Sequence, residues 1–201
     1  MAPRSQTLQA FLDATREALS VRIKPGTPEA SAMKRVTAAF AVAAGDQAPS
    51  NSLSQPACAH LEAAIVGAER GPADVARVAN TFKALVPTLH WKLKSIADPA
   101  FAVGHANTNL LGPYPEALER RDDVWVGLSL MAPEITYPDH NHPPEELYLA
   151  LSRGYWRQQT GPWHEPGLGG VVYNPRGIVH AMRSGAEPFL AIWCLPIDRS
   201  G

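Results

Sequence analysis

Three histidines and one glutamate stand where a single metal ion would gather them. They lie in two segments, His140-Asn141-His142-Pro143-Pro144-Glu145-Glu146 and Pro175-Arg176-Gly177-Ile178-Val179-His180. Alternate side chains of a β-strand share a face, so His140 and His142 point the same way, and Glu146 and Tyr148 continue that parity. Pro143 and Pro144 interrupt regular pairing between the two halves. The expectation is one divalent transition metal ion (zinc, iron or manganese) held by His140, His142, Glu146 and His180 from two neighbouring strands. Imidazole with carboxylate suits these ions, and not the all-oxygen shell of calcium. Ordinary hydrogen-bonded histidines would explain a bare His-x-His pair, but explain Glu146 and His180 less well.

Elements that would position these residues follow from the hydrophobic spacing. Leu8, Phe11, Leu12 and Leu19 form a helical stripe. Thr27-Pro28-Glu29 reads as an N-cap, an N1 proline and a first-turn acid, opening a second helix. That helix would bury Met33, Val36, Phe40 and Ala43 and end at Gly45. A third helix opens near Pro56 over Leu61, Ile65 and Ala68. A fourth opens at Pro72 and carries Val75, Val78, Ala79, Phe82 and Val86 until Pro87 stops it. Beyond Thr88 the period changes. Strands are expected at 89–93, 124–131, 146–152, 155–159, 170–173, 178–183 and 189–195, separated by glycine and proline turns. The fold class expected is mainly β, a small barrel at 88–201 with an α-helical N-terminal segment at 1–87 packed on it.

Composition bounds the function. A chain of 201 residues, 45% hydrophobic, is long enough for a sizeable core. A net charge of −1 provides no basic surface for nucleic acid. Cys58 and Cys194 make no disulfide framework, which favours a reducing compartment. Asp13, Arg16 and Glu17 fall where an export signal needs apolar residues, and the apolar run at 38–44 is too short to cross a bilayer. A cytoplasmic protein without nucleic-acid or membrane partners is expected. Other histidines offer less: His90 and His105 lack acidic or cysteine neighbours at ligand spacing, His60 with Cys58 is a two-point match, and His164 sits in a turn.

The two metal segments resemble the two cupin motifs. His140-x-His142-x-x-x-Glu146 is similar to the first, and Gly169-x5-Pro175-x-Gly177-x-x-His180 to the second. The chain departs from the pattern in having no glycine five residues before His140 and a serine, Ser184, where asparagine often ends the second motif. The resemblance spans about residues 124 to 195 and implies a double-stranded β-helix. A sharper resemblance lies in Tyr137-Pro138-Asp139-His140 through Glu146-Leu147-Tyr148, which is similar to the cupin-type dimethylsulfoniopropionate (DMSP) lyases of marine bacteria. That likeness implies β-elimination of DMSP to dimethyl sulfide and acrylate, with His140, His142, Glu146 and His180 as ligands and Tyr148 as base. Tyr137 matches a second tyrosine near the metal.

The chemistry is consistent with these residue types. The proton α to the DMSP carboxylate is weakly acidic, and a divalent cation on that carboxylate would stabilise the enolate-like charge. The residues alone leave Tyr148 open between a base and an interior aromatic; the resemblance favours the base. Tyr137 has the same ambiguity, between catalysis, contact with the substrate carboxylate and packing. A sulfonium is held best over aromatic faces. Trp193 shares parity with Phe189 and Ala191 and is the first candidate, while Tyr155, Trp156 and Trp163 are placed to cover the barrel mouth. An iron-dependent cupin oxygenase and a small-molecule sensor are the alternatives. The helical segment would cover one end or face of the barrel, shield the site from water, or build the interface of a homodimer, and the sequence does not decide among these.

Overall fold

A computed structural model describes residues 4–42, 52–94 and 98–198. Helices α1 (Gln6–Ser20), α2 (Pro28–Phe40), α3 (Leu61–Glu69) and α4 (Ala73–Lys83) form one layer. Ser5 caps α1 by accepting from the Leu8 amide at 3.2 Å. Thr27 caps α2 from the Ala30 amide at 3.3 Å, with Pro28 at its first turn. Helix α2 ends at Phe40, and Ala43 and Gly45 lie outside the described residues. Its last carbonyls are met by two guanidinium groups, Arg4 on Phe40 and Arg121 on Ala39, both tied to the buried Glu119. The segment from Pro56 begins as a 3-10 turn before α3, and Val86 falls in another such turn after α4.

The strands are β1 (Trp91–Lys92), β2 (His105–Gly112), β3 (Glu119–Arg120), β4 (Val124–Met131), β5 (Thr136–His140), β6 (Glu146–Ala150), β7 (Tyr155–Gln158), β8 (Val171–Asn174), β9 (His180–Arg183) and β10 (Phe189–Pro196). A short helix, α5 (Pro99–Gly104), precedes β2 and is capped by Asp98. The larger sheet runs β1-β2-β4-β10-β6-β8, with β3 beside β2; the smaller runs β5-β9-β7. The fold is mainly β with helices, the cupin barrel expected. Two expectations need correction. The segment at 89–93 pairs only over Trp91–Lys92, and α5, β2 and β3 fill a stretch where no element was predicted.

The larger sheet is buried on both faces. Leu147 and Leu149 of β6, Val126, Leu128 and Leu130 of β4, and Leu190, Ile192 and Cys194 of β10 join the helical residues in one apolar core. Their neighbours Tyr148, Ala150, Met131, Phe189 and Ala191 turn inward and meet Tyr137, Trp156 and Met182 of the smaller sheet. A strand dry on both faces needs no polar alternation, which explains the continuous run Leu147-Tyr148-Leu149-Ala150-Leu151. Alternation across β6 and β10 therefore decides which side chains see the barrel interior.

Candidate active site

A cavity of about 370 Å³ opens inside the barrel. Tyr137, His140, His142, Glu146, Tyr148 and Trp193 all line it. His180 is buried just behind, opposite His140 in the β5–β9 ladder. The strand parity inferred for the first motif is only partly regular. Strand β5 ends at His140, His142 lies in the proline loop, and Glu146 opens β6 in the other sheet. The loop is fixed from the second motif: the Gly177 amide donates to the His142 carbonyl at 3.1 Å. Gly177 has φ +67°, a left-handed conformation that glycine adopts without penalty.

Each histidine is anchored in the same way. Nδ1 of His140 lies 2.9 Å from the Pro138 carbonyl, that of His142 2.9 Å from Pro144, and that of His180 3.1 Å from Ile178. A carbonyl can only accept, so each Nδ1 carries the hydrogen and each Nε2 lone pair is left for another partner. Donor atoms of His142, Glu146 and His180 lie within 4.8 Å of one another. The His140 ring centroid is 4.1 Å from that of His180 and 6.4 Å from that of His142. His140 thus lies beside His180, but its donor atoms are not among those that converge within 4.8 Å.

Buried polar atoms in this cluster fit a divalent ion. His180 Nε2 is buried with no hydrogen-bond partner, although Glu146 Oε2 is 3.3 Å away. His142 Nε2 meets the same oxygen at 3.3 Å. Burial alone would raise the Glu146 carboxyl, but its contacts with His142 and His180 hold it well below the usual carboxylate range. Burial would likewise lower His142, and Glu146 overrides it. Burial and the neighbouring His180 bring His140 down to about 4. Imidazole nitrogens beside an ionised carboxylate make a donor set for zinc, iron or manganese.

Two residues at no fixed position of either motif steady the carboxylate. Asn174 donates to Glu146 Oε2 at 3.1 Å, and Gln158 donates to Asn174 Oδ1 at 2.8 Å. The neighbouring Glu145 points the other way, accepting from Tyr173 at 2.5 Å and pairing with Arg35 of α2. Consecutive glutamates therefore serve opposite faces of the sheet.

Tyr137 stacks on His140, with ring centroids 3.9 Å apart and planes 6° from parallel. They are three positions apart, which a regular strand would send to opposite faces. A register shift between Tyr137 and His140 against β9, over Pro138 and Asp139, brings them to one side. Tyr148 is buried, its ring 6.5 Å from that of His180. Burial, then the charge of Glu146, pushes its phenol well above the usual tyrosine value, and Tyr137 is raised for the same two reasons.

Trp193 lines the cavity beside Tyr148, its partner in the β6–β10 ladder. Its indole lies across Gly127, where an added Cβ would sit 2.3 Å from the ring. The other expected aromatics are elsewhere. Trp156 packs in the interior against Phe189, and Tyr155 and Trp163 flank the Arg183 guanidinium. Tyr114 and Trp125 line the cavity instead. Trp125 could have been found, since it shares parity on β4 with Gly127 and Ser129, both on the cavity side.

A sequence model of the dimethylsulfoniopropionate lyase family matches residues 29–191. The chain belongs to this family. Over 134 residues it is 31% identical to "Putative dimethylsulfoniopropionate lyase DddL" of Cereibacter sphaeroides, covering 65% of this chain and 54% of that protein. Over 72 residues it is 32% identical to dimethylsulfoniopropionate lyase DddQ of Ruegeria pomeroyi, covering 35% and 36%. The matched stretch thus spans about half the length of the first curated relative and about a third of the second. The DMSP lyase family also supplies similar folds. The crystal structure of DddQ from R. pomeroyi superposes with a TM-score of 0.67 at 22% identity, covering 98% of this chain and 95% of that one. A chain from the structures of the DMSP lyases RdDddP and RnDddQII gives 0.69 at 20% identity, covering 94% and 92%. No helix among the described residues is long and apolar enough to cross a membrane.

Proposed function

We propose that the protein is a metal-dependent lyase that cleaves DMSP to dimethyl sulfide and acrylate by β-elimination. His140, His142, Glu146 and His180 hold one zinc, iron or manganese ion, Tyr148 removes the α-proton, and Trp193 faces the sulfonium. Tyr137 holds the His140 ring and borders the substrate. The observation that carries this reading is the common anchoring of three Nδ1 atoms to backbone carbonyls, which leaves three Nε2 lone pairs free, those of His142 and His180 each 3.3 Å from the Glu146 carboxylate.

A divalent ion there would neutralise the substrate carboxylate and stabilise the charge that develops at its α-carbon. The remaining work falls to the chain. In the protein alone, burial and Glu146 keep the proton on Tyr148. The base role therefore depends on added positive charge beside the phenol. The α-proton passes to the Tyr148 oxygen, the C–H electron pair becomes the Cα–Cβ double bond, and the Cβ–S pair leaves with sulfur. The leaving group departs as a neutral thioether and needs no acid.

The test is direct. Purified protein is mixed with DMSP under anaerobic conditions, with and without chelator, and dimethyl sulfide is measured in the headspace. Oxygen-independent, chelator-sensitive release is expected. No release, or release only with oxygen, would refute the proposal.

A further inference from the structure

Two lysines line the cavity, and they differ. Lys92 is paired with Glu116, which also accepts from Asn109 at 3.0 Å. Lys94 has no ion-pair partner among the described residues. Its ammonium lies 5.0 Å from the centroid of the Tyr137 ring, and Tyr137 in turn lies flat against His140. The side chain is exposed, and its charge acts on His140 and His142 and is itself favoured by Glu146. A cation without an ion pair, beside a cluster that would itself hold a cation, is unfavourable unless a further anion joins them.

The lining also includes aromatic surface. Trp193 and Trp125 border the cavity, the Tyr114 ring carries the Lys92 ammonium 4.5 Å from its centroid, and the side-chain Oδ1 of Asn107 is buried without a donor. Aromatic faces and free acceptors suit a cation. Beyond Lys94 the cavity can therefore take the positive group of a ligand whose anion Lys94 holds.

We propose that Lys94 binds the substrate carboxylate, its ammonium pairing with one carboxylate oxygen and so fixing which end of a short zwitterion faces the histidines. The identity of that zwitterion as DMSP rests on the lyase reading, whereas the carboxylate site stands on the placement of Lys94 itself. Lys94 is then a binding and orienting residue for any short carboxylate carrying a positive group a few bonds away.

Two half-substrates test it by isothermal titration calorimetry on the metal-loaded protein: propionate, with the anion only, and trimethylsulfonium, with the cation only. In Lys94→Met, propionate affinity is expected to fall on the order of tenfold, the scale of one charge-assisted hydrogen bond. Lys94→Arg should retain most of it. Trimethylsulfonium should bind Lys94→Met as well as wild type, or better. The proposal is overturned if wild type does not bind propionate, if Lys94→Met binds it equally well, or if both probes weaken together, which would mark Lys94 as a prop for Tyr137. Lys94-dependent propionate binding in a protein that releases no dimethyl sulfide would leave this site standing and remove the lyase reading.

Discussion

Asn174 Nδ2 lies 3.1 Å from Glu146 Oε2, directly across the ladder between β6 and β8. The amide holds the carboxylate in one orientation, with Gln158 holding the amide in turn. Removing such a support typically costs about 10–100-fold in metal affinity. Asn174→Ala is therefore expected to lose metal to a competing chelator at correspondingly lower concentration while remaining folded by circular dichroism. Unchanged affinity would show that Glu146 needs no help.

Tyr148→Phe should retain its metal and its fold but lose dimethyl sulfide release by at least about 10²-fold, the lower end of what a positioned base contributes. The wild-type profile should rise with pH, because the phenol begins above its ordinary value and only its ionised form accepts a proton. That rising limb should vanish in the variant. A variant with wild-type kcat would assign the base elsewhere.

Gly127→Ala tests the seat of Trp193. The new Cβ would fall 2.1 Å from the Thr108 carbonyl oxygen and 2.3 Å from the indole. Overpacking of this kind costs about 1–3 kcal/mol. A lower urea midpoint and altered tryptophan fluorescence are expected, with a raised KM if Trp193 moves. Wild-type stability would mean that the β2–β4 ladder yields more easily than its geometry suggests.

His105→Phe tests acid stability. Burial, then the charges of Lys94 and His140, brings His105 down to about 3, and neither ring nitrogen has a hydrogen-bond partner. An unfolded histidine titrates near 6.5. The neutral buried ring thus contributes stability that is fully present above that value and lost as pH falls towards 3. The phenyl ring should keep the stack on Phe101, whose centroid is 4.5 Å away. Urea midpoints at pH 7 and pH 5 should differ less in the variant than in wild type. An equal loss in both would place the acid sensitivity elsewhere.

Much of this site is legible in the chain because its chemistry and its periodicity coincide. Glu146 and Tyr148 on β6, and Phe189, Ala191 and Trp193 on β10, have the parity that puts them inside. Strand β4 occupies the residues expected, since its apolar run is bounded by clear breaks. Strand β2 was not legible. Asn107 and Asn109 are polar because they line a cavity, and in the sequence such residues look the same as those of a solvated loop. Asp98-Pro99 was a readable start for α5, a cap followed by an N1 proline, but the helix is too short to carry an apolar stripe. Tyr137 sits beside His140 through a register shift between them that strict alternation does not foresee. Lys94 gave no signal at all, because its importance comes from which groups surround it in space.

The strand that carries Glu146 and Tyr148 also carries Leu147 and Leu149 on its reverse side, embedded among the helices. Between reacting groups and helical layer there is a single thickness of backbone. Random mutagenesis selected for altered turnover should accordingly recover substitutions in α2, well removed from any bound molecule, because repacking there tilts the strand on which the phenol is mounted.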